Sequence, residues 1–358
     1  MPFDPHPIQA ATLPRHELRP VATWLFVLCA MVLVMVTLGG ATRLTGSGLS
    51  IMEWAPIMGA LPPLSDAEWQ RLYTLYQKIP QYDLVNQGFG LAGFKGIFWL
   101  EWVHRLWGRL MGIALLGPLL WFAWRGRVSR GLAMRMAGLL VLGGMQGAIG
   151  WFMVASGFEA DRTAVSPYRL VMHLSLAVSL YAALLWTALG VWRQAAGPVV
   201  GGTTAGLRRL TALSAGLVAI TIVAGGFVAG LHAGLTYNSF PFMDGRVVPE
   251  GYASMRPLWI NLFENVAAVQ FNHRWIATVT ACVVTVTVLA GAWQANGLVR
   301  TALGVLGVAV LVQYALGIAT LLWVVPVSLG TAHQAVAMLL LTAALVAVHV
   351  QSGTVKNR

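Results

Sequence analysis

Taken as a run of apolar and polar positions, the chain alternates long apolar stretches with polar connections. Eight such stretches can be drawn, over roughly 21–42, 97–122, 133–155, 168–192, 208–230, 267–291, 301–324 and 328–350. Each is longer than the ~20 residues an α-helix needs to cross a hydrocarbon core. The pattern therefore predicts an all-α polytopic membrane protein with eight transmembrane helices.

The connections orient it. Arg125, Arg127 and Arg130 follow the second segment, Arg135 opens the third, and Arg193, Arg208 and Arg209 follow the fourth. Lys and Arg concentrate in loops that stay in the cytoplasm. Arg15 and Arg19 put the N-terminus on that side, and Lys356 and Arg358 do the same for the C-terminus, giving an N-in, C-in topology. On this reading the inner side carries 12 of the 23 basic residues with two acidic ones, Asp4 and Glu17, and the outer side carries the remaining 11 with ten. The opposite, outer side has two long connections, 43–96 and 231–266. The first holds an amphipathic stretch, Asp66–Lys78, expected as a short helix capped by Ser65 or Asp66. The second carries Tyr237–Pro241, Pro249 and Pro257 and reads as an ordered lid.

The chain also repeats itself. Glu101-x-x-His104-Arg105 recurs as Gln270-x-x-His273-Arg274, and Gln146–Gly150 recurs as Gln313–Gly317. His173 pairs with His333, and Gly39-Gly40 with Gly225-Gly226. Four helices per half give both halves the same orientation, so the expectation is two parallel-repeat four-helix bundles. The expected divisions are an arm at 1–20, a first bundle at 21–192, a linker at 193–207, a second bundle at 208–350 and a tail at 351–358.

Charged and imidazole side chains inside such helices are costly, and by default they mark function. Glu101 and His104 stand three residues apart, on one face of a helix. Of eight histidines, His6, His16, His232 and His349 lie in the arm, an outer loop or an inner helix end. The other four, His104, His173, His273 and His333, fall at matched depth near the outer ends of the even-numbered segments, two per half. Two neutral imidazoles facing each other across a bundle suit a haem iron, whereas zinc would want further ligands that the second half lacks. Gly143, Gly144, Gly147, Gly150 and Gly317 leave room for a flat macrocycle, and Arg105, Arg109 and Arg274 are cations suited to propionates. The halves differ where Glu101 faces Gln270. A carboxylate can take a proton or steady a developing positive charge and an amide cannot, so Glu101 is the candidate catalytic residue and the first pocket the candidate reaction site.

Composition narrows the partners. With 58% hydrophobic and 10% charged residues in 358, and a mean hydropathy of +0.71, no large soluble domain is expected. The net charge of +11 follows the inner loops rather than forming a nucleic-acid patch. The start of the chain has neither a cleaved-signal pattern nor an organelle presequence, which favours a bacterial protein. Cys29 and Cys282 sit in apolar runs and are expected as small core residues.

These residues resemble a known family, the haem A synthases. Glu101, His104, Arg105, Gly108 and Arg109 match its second-helix pattern. Thr42–Ser50 (TRLTGSGLS), Asn272–Arg274 (NHR) and Thr331–Gln334 (TAHQ) match others. The resemblance spans essentially the whole membrane region. It implies an oxidoreductase of the bacterial cytoplasmic membrane that oxidises the C8 methyl of haem O to the formyl of haem A, for terminal cytochrome oxidase. It further implies that His104 and His173 hold the substrate haem and His273 and His333 a permanent haem b, with the sites toward the periplasm. Expected partners are haem O synthase, oxidase-assembly factors, an electron acceptor and a second copy of the chain. The outer-loop cysteine pair of many Gram-positive members is missing, which places the chain with the proteobacterial and mitochondrial branch. The competing reading is a diheme b-type electron carrier that does no chemistry on its haem.

Overall fold

The computed structural model describes residues 15–160, 162–197, 199–200, 202–352 and 354–355. The expectations for most of the 1–20 arm, including Asp4 and His6, and for Lys356 and Arg358 lie outside them.

Eight helices among the described residues are long and apolar enough to cross a membrane. They are α1 (Arg15–Leu44), α4 (Gly90–Trp124), α5 (Arg130–Ala155), α6 (Pro167–Ala196), α7 (Ala205–Gly230), α8 (Val266–Gln294), α9 (Gly297–Leu322) and α10 (Val327–Ser352). Two shorter helices, α2 (Asp66–Tyr76) and α3 (Pro80–Leu84), lie in the first long connection. The protein is thus a multi-pass membrane protein.

Each half closes into a ring. In the first, α1 and α5 each pack on α4 and on α6; in the second, α7 and α9 each pack on α8 and on α10. The rings meet where α1 lies on α10 and α6 on α7, and one continuous apolar core runs through this seam. Outward faces keep large apolar side chains exposed, as lipid contact requires. Hydroxyls tie neighbouring helices together within the core: Ser214 with Thr287 at 2.8 Å, Thr221 with Thr280 at 2.8 Å, and Tyr181 with Thr342 at 2.6 Å. Such bonds contribute on the order of 0.6 kcal/mol each in a membrane interior.

Two expectations need correction. The second apolar segment, drawn from 97, is helical from Gly90, although Gly93 and Gly96 weaken that turn. Tertiary packing decides it: Phe94 is fully buried against Trp69, Tyr73 and Tyr76, so α4 extends beyond the membrane as a post for α2. Cys29 is buried as expected, but Cys282 is exposed on the outward side of α8.

The α2 helix forms as its sequence suggests. The Ser65 side chain accepts from the Glu68 amide at 3.2 Å, and Trp69, Leu72, Tyr73 and Tyr76 form its buried face. Arg71 ties it to the loop that precedes it, donating to both carboxylate oxygens of Glu53 at 2.8 Å and to Glu68. This guanidinium holds the Glu53 carboxyl below its ordinary pKa. The second outer connection is built of turns around Pro241, Pro249 and Pro257, and it folds against α8.

Candidate functional site

The four histidines lie on α4, α6, α8 and α10, and helix register fixes their depth. His104, His173, His273 and His333 stand 20, 23, 21 and 19 residues before the C-terminal ends of their helices. At 1.5 Å per residue that is about 30 Å from those ends, so the four rings lie at a common depth.

A neighbouring helix seats every one of these rings on a glycine. A Cβ added at Gly39 of α1 would stand 3.1 Å from Cε1 of His104, and one at Gly225 of α7 would stand 3.1 Å from Cε1 of His273. At Gly150 of α5 and Gly317 of α9 the distances to His173 and His333 are 2.9 Å. Only hydrogen at these positions lets each imidazole lie against the adjacent backbone. Gly39 and Gly225 stand out in the sequence as a repeat; their contact with a ring does not, because it joins distant segments.

Two glutamines accompany the α6 and α10 rings. Gln146 Nε2 donates to the His173 carbonyl at 2.9 Å and stands 3.4 Å from that ring's Nε2. Gln313 Nε2 stands 3.2 Å from His333 Nδ1. The repeat marks both residues, although their role is legible only in three dimensions.

The donor set fits a haem. The rings are deep within the protein, yet part of each surface remains uncovered between the helices. Nδ1 of His104, His173 and His273 has no hydrogen-bond partner. His104 and His173 are within electrostatic reach of each other, as are His273 and His333. Among the described residues no group of three or more His, Cys, Asp or Glu could hold a metal ion, so a structural zinc site of the usual kind is not formed. Paired imidazoles, one from each of two facing helices, are a donor set that would hold a planar iron macrocycle.

The carboxylate and the arginines bond to the loops beside them. Glu101 is buried, with 2% of its surface exposed. Oε2 accepts from Ser50 Oγ at 2.6 Å and from the Ile51 amide at 2.8 Å, and Oε1 accepts from Nε and Nη2 of Arg105. Arg105 also donates to the carbonyls of Ile51 (2.6 Å) and Glu53 (3.0 Å). Arg109 donates to the carbonyls of Pro56 (2.7 Å) and Ala55 (2.8 Å). These groups hold the loop that follows α1 against the face of α4.

The second half repeats the clamp with reversed polarity. Gln270 Nε2 donates to the carbonyls of Ala233 (2.7 Å) and Thr236 (2.6 Å), and its Oε1 accepts from Arg274 Nη2 at 3.0 Å. Arg274 donates to the carbonyls of Ser239 and Tyr237. The match extends to the backbone. Gly46 and His232 precede equivalent 3₁₀ turns in the left-handed conformation, at φ 67° and 53°. His232 is exposed, as expected of a loop residue; desolvation by its surroundings, with the nearby Arg43 charge, lowers its pKa. Of the three site arginines, only Arg109 Nη1 and Arg274 Nε are buried nitrogens with no partner.

Comparison with known proteins agrees with this geometry. Residues 22–345 match the family described as cytochrome oxidase assembly protein. Three relatives are each named Heme A synthase. That of Granulibacter bethesdensis is 61% identical over 345 residues, covering 96% of this chain and 91% of its own. That of Rhodospirillum centenum is 51% identical, covering 90% and 86%. That of Nitrosospira multiformis is 45% identical, covering 94% and 97%. Eight membrane helices, paired imidazoles and relatives aligned from end to end lead to one conclusion: the chain belongs to the haem A synthase family.

Proposed function

We propose that the protein oxidises the C8 methyl group of haem O, through a hydroxymethyl stage, to the formyl group of haem A. The observation that carries this is the set of four glycine-seated imidazoles at one depth, two per half, in a chain whose relatives bear the name Heme A synthase. The conversion removes four electrons and adds one oxygen atom, so an electron acceptor must take part. The diheme-carrier reading shares the imidazoles, but the named relatives do not favour it.

In this reading the first bundle, 21–192, holds the substrate through His104 and His173. The second, 208–350, holds haem b through His273 and His333. When bound, haem b supplies one-electron redox chemistry. The residues around it do the holding: Gly225 and Gly317 fix ring orientation, and Arg274 Nε remains free for an anionic group. On the substrate side Arg109 Nη1 is the corresponding donor, because every nitrogen of Arg105 already bonds to protein.

For Glu101 the geometry supports a positioning role. Four accepted hydrogen bonds, two of them from Arg105, engage both carboxylate oxygens with Arg105 and the Ser50–Ile51 loop. It fixes Ser50 and Ile51 one turn outward from His104 and thereby shapes the rim of the substrate pocket. The N-in, C-in orientation, a bacterial inner-membrane location and sites facing the periplasm follow from the charge asymmetry of the loops. Supply of haem O by its synthase and delivery to oxidase-assembly factors are the partnerships this activity entails.

The test is pigment extraction from purified protein, followed by assay with haem O. Recovery of haem B together with haem O or A, and formation of haem A in the assay, is the expected result. Haem B alone, with no conversion, would return the protein to the electron-carrier reading.

A further inference from the structure

The two clamps differ in reach. In the second half Gln270 and Arg274 form the clamp on α8, and the position equivalent to Arg109 is Thr278, which bonds instead to the Arg274 carbonyl and Tyr314. In the first half Arg109, one turn further inward than Arg105, draws Ala55 and Pro56 down along α4. Arg109 lies five residues inward of His104, about 7.5 Å, and its side chain slopes back toward the helix N-terminus. The loop therefore descends to about the level of the imidazole. Non-helical backbone at that depth needs its carbonyls satisfied by protein, and two guanidiniums satisfy four of them.

What this loop carries fits such a depth. No charged residue occurs between Glu53 and Asp66. Ile57, Met58, Leu61 and Leu64 are 82%, 75%, 65% and 82% exposed. They continue the apolar outward face of α4 and α5, formed by residues such as Ile113 and Val141. Trp54 packs on Trp151 of α5, with centroids 5.5 Å apart, so the loop bridges α4 and α5. Below that bridge α4 and α5 form the loosest contact in either ring, and Gly143, Gly144 and Gly147 face open space.

We propose that Trp54–Leu64 is a re-entrant flap seated in the outer leaflet, roofing a lateral portal between α4 and α5 through which the haem substrate passes between bilayer and first-half site. The occupant of the exposed face is lipid acyl chain. The portal rests on the reading that the first half holds the substrate. A substrate must come and go, a permanent haem need not, and among the described residues only the first half has an arginine at this position to draw its loop inward. Apolar haem partitions into the bilayer, so a portal opening sideways meets it where it is concentrated.

Nitroxide labels test the position of the flap without requiring turnover. In a Cys29→Ala/Cys282→Ala background, single labels would be placed at Met58→Cys, at the lipid-facing Val141→Cys and at the solvent-facing Lys78→Cys, all in liposomes. The Met58 label should match Val141 in being open to oxygen and closed to a water-soluble nickel chelate; a match to Lys78 overturns the flap. Haem O uptake from the liposomes, followed by absorbance, tests the portal. Ile57→Asp/Met58→Asp places charge where the bilayer disfavours it and should slow uptake by about tenfold while haem B content stays within about 20% of wild type. Unchanged uptake overturns the portal. Wild-type protein that takes up haem O but converts none would refute the proposed activity and leave the portal standing.

Discussion

Glu101 and Gln270 occupy equivalent places in the two halves and bond in opposite senses. The carboxylate accepts from the Ile51 amide and Ser50 hydroxyl, and the amide group donates to the Ala233 and Thr236 carbonyls. Each matches the polarity that its own loop presents, so the difference between the halves is first a matter of complementarity.

This complementarity makes the exchange informative in both directions. Glu101→Gln sets an NH₂ group or a neutral oxygen against two donors and removes the ion pair with Arg105. Haem O conversion should fall by roughly a hundredfold, the scale of misplacing a site by about an ångström, while haem B stays bound. Products extracted and chromatographed, normalised to haem content, give the answer; near-normal haem A formation would remove Glu101 from any role in the reaction. Gln270→Glu turns carboxylate lone pairs onto two carbonyls and should lower haem B content instead.

The cofactor assignment separates by variant. His273→Ala or His333→Ala should strip haem B from the purified protein, and His104→Ala or His173→Ala should leave it bound while abolishing turnover. Full haem B in the His273→Ala/His333→Ala double variant would overturn the assignment.

Glycine seats predict pocket-specific losses. Gly317→Ala brings a methyl group to 2.9 Å from His333 Cε1 and should displace that ring at a cost of about 1–3 kcal/mol, the usual range for overpacking. Haem B should be lost or its spectrum shifted. Gly150→Ala should do the same to substrate binding alone. Gly304→Ala, where a Cβ meets nothing within 4 Å, is the control expected to leave both pockets intact.

Orientation is tested by fusion. A reporter active only in the periplasm should work after Lys78 and be silent after Arg130. The reverse result would invert the topology and place the sites on the inner side.

Much of this architecture can be read without coordinates, because lipid imposes a one-dimensional rule on sequence. Every crossing must be a long apolar helix, so the eight segments emerge from hydropathy, and His104, His173, His273 and His333 stand out as polar exceptions at one depth. The employment of Arg105, Arg109 and Arg274 was not legible in that way. Their partners are backbone carbonyls, which every residue has, so no residue type at Ile51, Pro56 or Ser239 announces the bond. Cys282 shows a similar limit: in a membrane protein an apolar run does not say which face turns inward. The early start of α4 is hidden in the sequence because Phe94 is buried by α2, a helix some 20 residues away along the chain.

The common depth of the four imidazoles has an electrical consequence. A membrane potential does work only on charge displaced along the bilayer normal. An electron handed from one histidine pair to the other travels within the membrane plane, across the α1–α10 and α6–α7 seam. That step crosses almost none of the transmembrane voltage, so the rate of exchange between the two halves should be the same in an energised and a collapsed membrane.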